Sequence, residues 1–114
     1  MAKYECRLNG DFDTFLNRID NEILKGSISA SFEDGSDFRS GDTRCSVRVY
    51  ERYSMAGKNR VSLNITLIGN GKDLFLSAIT SGGSQAVFFK INTWGEESFL
   101  DSLVRIAEDY KREL

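Results

Sequence analysis

Val61-Ser62-Leu63-Asn64-Ile65-Thr66-Leu67-Ile68 runs into Gly69-Asn70-Gly71-Lys72-Asp73 and on into Leu74-Phe75-Leu76-Ser77-Ala78-Ile79-Thr80, and this stretch decides the fold class. In its first part Val61, Leu63, Ile65 and Leu67 alternate with Ser62, Asn64 and Thr66, the pattern of a half-buried strand. The Gly-Asn-Gly segment between two apolar runs is a strong hairpin signal. A hairpin makes its two strands antiparallel. The second strand, Leu74 to Thr80, carries apolar side chains on both faces, so alternation alone does not say which face is inside.

Toward the N-terminus, Thr43 to Tyr53 alternates again. Cys45, Val47 and Val49 take one face, expected to be the inner one, while Arg44, Ser46, Arg48, Tyr50 and Arg52 take the other. Met55 to Asn59 is a turn. Asp34 to Asp42 is rich in Gly, Ser and Asp and reads as a loop or wide connection. Ser27 to Glu33 has period two, with Ile28, Ala30 and Phe32 expected inward. Ahead of it lies a helix. Asp11 is a suitable N-cap, Phe12, Phe15, Leu16, Ile19 and Ile23 form one apolar stripe, and Gly26 stands where a left-handed stop is expected. Lys3 to Leu8 reads as the first strand.

Toward the C-terminus, Ser81-Gly82-Gly83-Ser84 turns the chain, and Ala86 to Asn92 reads as a last strand. Thr93-Trp94-Gly95-Glu96 has the capping-box pattern, a hydroxyl at the cap and a carboxylate three residues on. Phe99, Leu103, Ile106, Ala107 and Tyr110 then form the apolar stripe of a helix that ends near Lys111 and Arg112. The predicted order is β-α-β-β-β-β-β-α. That is an α+β two-layer sandwich: an antiparallel sheet of about six strands with both amphipathic helices on one face, since each helix has one stripe to bury.

Composition bounds the function classes. The chain has 114 residues, 15 Lys+Arg against 17 Asp+Glu, and neither His nor Pro. The length fits a single domain spanning 1–114. Without His there is no Ser-His-Asp or Cys-His nucleophile system and no His-ligated metal. The net charge of −2 argues against a general nucleic-acid binder. No apolar run approaches the roughly 20 residues of a membrane span. Met1 to Glu5 leads into no apolar signal core, so a cytoplasmic location is expected, with Cys6 and Cys45 as free thiols facing inward.

Arg48-Val49-Tyr50-Glu51-Arg52-Tyr53, Ser77 to Ala86 and Lys90 to Glu97 together resemble a family of small bacterial proteins of unknown function. The resemblance extends over nearly the whole chain and implies no activity, cofactor or catalytic residue. The element order by itself resembles helix-grip and TATA-box-binding-protein-like architectures, a curved antiparallel sheet holding a long C-terminal helix.

Three surfaces are candidate sites. Arg44, Arg48 and Arg52 recur every four residues, about 13 Å apart along a strand, with Tyr50 between two of them. Six Lys and Arg between Arg39 and Arg60 face only Asp42 and Glu51. Such a strip is either an anion or single-stranded nucleic-acid site or a solvated sheet face balanced by neighbouring acids. The same face is expected to carry Ser27, Ser29, Ser31, Ser46, Ser62, Asn64 and Thr66, short side chains that leave a sheet flat enough to meet a second copy or another protein. Phe32, Phe89, Trp94, Phe99 and Tyr110 either line a pocket for a small apolar ligand under the C-terminal helix or close-pack as core.

Other motifs carry little chemistry. The Gly pairs lack the Lys-Ser/Thr and strand-to-helix context of a phosphate loop. The carboxylate pairs Glu96-Glu97 and Glu108-Asp109 point in different directions on a helix. The sequence therefore predicts a non-catalytic domain that needs no cofactor or metal and works by homodimerisation or protein binding through its Ser/Arg-rich sheet face. A small apolar ligand is the alternative, and an anion or nucleic acid is a weaker one.

Overall fold

In the computed structural model, residues 1–54, 59–82 and 89–114 are described, with the side chains of all of these except 54, 59 and 89–94. The elements are β1 (Ala2–Asn9), α1 (Phe12–Lys25), β2 (Ser31–Ser40), β3 (Thr43–Ser54), β4 (Asn59–Asn70), β5 (Asp73–Gly82) and α2 (Phe89–Glu113). The five strands form one antiparallel sheet in the order β1-β5-β4-β3-β2. Both helices lie on the same side of it, so the two-layer α+β architecture holds with five strands in place of about six.

The β4–β5 hairpin closes on Gly71 and Lys72, with Asn70 paired to Asp73 and Gly71 at φ +61°. Left-handed backbone at the tip is what a two-residue hairpin requires, and Gly supplies it at no steric cost. Val61, Leu63, Ile65 and Leu67 of β4 are fully buried, and register pairs Leu63, Ile65 and Leu67 with Thr80, Ala78 and Leu76 of β5, which share that face with Leu74. The inner face of β5 is thereby settled. Cys6 of β1 sits half-buried on the same side.

The stripe of α1 buries completely: Phe12, Phe15, Leu16, Ile19 and Ile23 all reach the core. Asp11 caps the helix by accepting the Thr14 N–H at 2.9 Å. Gly26 ends it in right-handed backbone, φ −75°, rather than the left-handed stop expected; its N–H donates to the Glu22 carbonyl. Phe99, Leu103, Ile106, Ala107 and Tyr110 of α2 bury as predicted. The Phe15 and Tyr110 rings stack at 4.7 Å, and the Arg18 guanidinium grips Glu113 with two hydrogen bonds of 2.7 and 2.6 Å. These contacts fasten α1 to α2.

Three sequence expectations change. First, β2 runs through Ser31 to Ser40, so most of the expected Asp34–Asp42 loop is strand. Ser27–Ala30 form a turn instead, and Ile28 is fully exposed. Edge strand β2 takes its main-chain hydrogen bonds from β3 across a tight turn at Gly41, φ +58°, and buries little, so pairing overrides its poor strand composition. A bulge at Glu33 interrupts the register.

Second, α2 begins at Phe89, so residues 89–92 are helical rather than strand, and Thr93 lies inside the helix rather than at its cap. Residues 86–88 lie outside the described residues. A short apolar run such as Val87-Phe88-Phe89-Lys90-Ile91 fits either a strand or a helix by periodicity alone. Glu96, expected at the capping box, is buried: it accepts the Gly82 N–H at 3.0 Å, and its Oε2 lies 2.5 Å from the Met1 amino group as an ion pair rather than an aligned hydrogen bond.

Third, β3 is turned over. Its even residues face the helices, because Arg44, Ser46, Arg48, Tyr50 and Arg52 pair with Gly69, Leu67, Ile65, Leu63 and Val61. Cys45, Val47 and Val49 lie half-buried on the opposite side.

Gly69 marks the closest approach of α1 to the sheet. A Cβ there would stand 2.7 Å from Phe12 Cδ2 and 2.9 Å from Leu74 Cδ2. Gly69→Ala is therefore expected to lower stability by about 1–3 kcal/mol through overpacking, read as a lower urea midpoint with an unchanged slope.

Candidate functional site

The arginine strip lies beneath the helices and not on an open surface, and each of its members has a partner there. Arg44 forks onto both Asp13 oxygens at 2.8 and 3.0 Å, with its guanidinium 4.2 Å from the Phe12 ring centre. Arg48 donates to Asp37 at 3.0 Å and to the Val47 carbonyl at 2.9 Å. It lies flat across Gly35, where a Cβ would come within 3.0 Å of it. Arg52 stacks over Phe99 at 4.6 Å and donates to Ser98. Tyr50 is fully buried and donates its hydroxyl to Asp20 of α1. Long stems cover apolar surface while the charged heads reach acids or rings, which is how a row of Arg sits on a core face.

Electrostatics follow from these pairs. The Arg44 fork holds the Asp13 carboxyl below its usual range. Hydrogen bonds from Ser46 and then Arg48 do the same for Asp37. Burial lowers Arg52, which has no carboxylate partner among the described residues. Burial, followed by the Asp20 hydrogen bond, pushes the Tyr50 phenol far up. Burial and the Glu108 hydrogen bond raise the Tyr4 phenol likewise.

The expected apolar site is dispersed. Phe99 and Tyr110 are close-packed core. Phe32 stands half-exposed on edge strand β2, edge-on to the Tyr50 ring at 6.1 Å. The side chains of Phe89 and Trp94 lie outside the described residues. A shallow cleft of about 300 Å³ opens elsewhere, at the hairpin tips, between Gly10–Phe12, Arg39, Asp42, Arg44 and Gly69–Lys72. Its charges are of both signs, and Arg44 and Asp11 are already engaged. Among the described residues no group of three acids or cysteines converges as a metal cage.

The face that the helices leave uncovered is more distinctive. Beyond a wholly polar row at the hairpin end, Asn9-Asp73-Asn70-Thr43-Ser40, register defines three further rows across all five strands. One row reads Arg7, Phe75, Ile68, Cys45, Phe38 from β1 to β2. The next reads Glu5, Ser77, Thr66, Val47, Ser36, and the third Lys3, Ile79, Asn64, Val49, Asp34. Four adjacent strands thus place an apolar side chain side by side in the first row. Phe38 is 67 % exposed there, and Ile68 and Ile79 about 40 %. The middle of these three rows carries the short hydroxyls Ser77, Thr66 and Ser36, with Val47 among them and Glu5 at the edge.

The flat polar face read from sequence is therefore divided. Ser31, Ser62, Asn64 and Thr66 lie on the uncovered side, whereas Ser46 and the arginines lie under the helices, and Ser27 and Ser29 are in a turn. Of the apolar residues on the uncovered face, the sequence points Cys45, Val47 and Val49 inward and leaves Phe38, Ile68, Phe75 and Ile79 unassigned. One signal for them was present, the apolar character of both faces of Leu74–Thr80.

The fold and this surface define a class: an open-faced two-layer α+β sandwich with helices on one side of an antiparallel sheet and an exposed apolar row on the other. The chain belongs to the Family of unknown function (DUF6054), whose model matches residues 1–111. Comparison with curated proteins finds no match. No helix among the described residues is long and apolar enough to cross a membrane.

A phenol raised by folding contributes stability that is complete below its ordinary value near 10 and is lost as pH climbs toward the folded value. A carboxylate held low contributes stability present above its ordinary value near 4 and lost as pH falls through the folded one. Urea midpoints are therefore expected to fall on both sides. Tyr50→Phe is expected to flatten the alkaline limb, leaving the share due to Tyr4, and to leave the acid limb in place.

Proposed function

We propose that the chain is a non-catalytic association domain that pairs the uncovered face of its sheet with a second copy of itself in the cytoplasm. The observation that carries this reading is the apolar row Phe38-Cys45-Ile68-Phe75 on a face no helix covers. Contiguous exposed apolar surface on a small domain marks an interaction site more often than chance. The short hydroxyls of the middle row, Ser77, Thr66 and Ser36, let a second sheet approach to the usual ~10 Å.

The size is adequate. Five strands spaced about 4.8 Å apart, with about eight residues each at ~3.3 Å, define a face on the order of 600 Å². Two such faces bury roughly 1,200 Å², the lower end of specific interfaces. A mass of twice 12.8 kDa by light scattering at high concentration is expected, falling to the monomer on dilution. Ile68→Asp is expected to give the monomer at every concentration with its fold intact, because the side chain is already partly exposed. A wild-type chain that stays monomeric throughout overturns the reading.

The alternatives have less support. A ligand under α2 would have to displace Phe99 and Tyr110 from a closed core, and an anion on the strip would compete with Asp13 and Asp37.

A further inference from the structure

The same face carries a charge pattern that specifies how two copies meet, an inference that rests on the pairing proposed above. Lys3 and Asp34 occupy one row at opposite edges of the sheet, on β1 and β2. Both are exposed, and neither has an ion-pair partner among the described residues. Among the described residues the Asp34 carboxylate accepts only its neighbour's N–H, from Gly35 at 2.8 Å. With four strand spacings of ~4.8 Å between them, they stand about 19 Å apart and cannot satisfy each other within one chain.

Two sheets packed face to face in the aligned manner can be related by a two-fold axis along the strands or across them. The strand order puts β4 at the centre. An axis along β4 lays β1 of one copy over β2 of the other and keeps each row in place. Lys3 then faces Asp34 of the second copy, Ile79 faces Val49, and Ile68 meets its own counterpart on the axis. In the apolar row Phe75 covers Cys45, and the Arg7 guanidinium reaches the exposed Phe38 ring, a favourable cation–π pairing. An axis across the strands lays β1 over β1 in reverse; set midway between the Arg7 and Glu5 rows it pairs Arg7 with Glu5 but leaves Lys3 against Asn9 and Asp34 against Ser40, and set on the Glu5 row it stacks Glu5 on its own counterpart. Lys3 then faces Arg7, and Asp34 faces Phe38, so like charges meet and an ionised carboxylate loses water against a ring.

The geometry points to a symmetric sheet-on-sheet dimer with its two-fold axis along β4, closed at both edges by Lys3–Asp34 ion pairs between copies. Electrostatic complementarity at a rim sets register and excludes wrong pairings more than it adds affinity.

Lys3→Glu and Asp34→Lys test this, alone and as an equimolar mixture, by sedimentation velocity with the two variants tagged differently. Each alone places two like-charge contacts in the dimer and is expected to weaken association at least tenfold. Mixed, the two form a heterodimer in which both contacts are again opposite in sign, and wild-type affinity returns. Equal unfolding midpoints for the monomers exclude a folding effect. If Lys3→Glu associates as well as wild type or more tightly, the axis lies across the strands and the inference fails. It fails equally if the mixture shows no preference for the heterodimer. Both results require a dimeric wild-type protein, so they are distinct from the monomeric wild type that would overturn the pairing itself.

Discussion

The pairing register of β3 with β4 is the constraint on which the rest of the structure depends. Val61, Leu63, Ile65 and Leu67 form the strongest apolar face in the chain, and the helices must cover it. Pairing Leu63 with Tyr50 then forces every even residue of β3 to the covered side. A slip of one residue would exchange the two faces of β3 completely. In the observed register Tyr50 enters the core and reaches Asp20, Arg44 and Arg52 lie on Phe12 and Phe99, and Val47 and Val49 stay outside. The covered face is thus completed by charged residues and the open face by apolar ones, the reverse of what β3 taken alone suggests.

This inversion explains how much the sequence could say. The helical stripes were legible because period and burial coincide: every apolar residue of the α1 stripe is buried, and so is each of the five in α2. The β4–β5 hairpin was legible because its turn chemistry is local. The orientation of β3 was not, because its own alternation points Cys45, Val47 and Val49 inward, whereas the choice belongs to the neighbouring strand. Edge strand β2 was illegible for a related reason. Its residues are almost all exposed, so no burial pattern marks it, and only the main-chain ladder to β3 makes it a strand.

The candidate surface shows the same division. Ser62, Asn64 and Thr66 could be placed together because they share a strand with a clear apolar face. The apolar row crosses four strands, and its members are far apart in sequence, from Phe38 to Phe75. Only a register could bring them together. The arginine periodicity was real but served the covered face, where Arg44 forks onto Asp13 and Arg48 pairs with Asp37 at the rim of the sandwich, and Arg44 and Arg52 stack on rings. The basic excess of the middle strand is accordingly met by Asp13 of α1, Asp37 of β2 and the Phe12 and Phe99 rings.

Edge strand β2 is fastened to the covered side at three places: the Phe32 ring against Tyr50, Arg48 lying across Gly35 and pairing with Asp37, and Ser46 donating to Asp37. None of the three is a fully buried apolar contact. In the language of native-state hydrogen exchange, β2 is a unit whose opening exposes little new apolar surface to water, so its amides belong to the low-energy end of the spectrum. The β4 and β5 amides behind it, set in the core, open only with the whole molecule. The strand that carries Asp34 and Phe38 is thus also the one that can lift from the sheet while the rest of the domain stays folded.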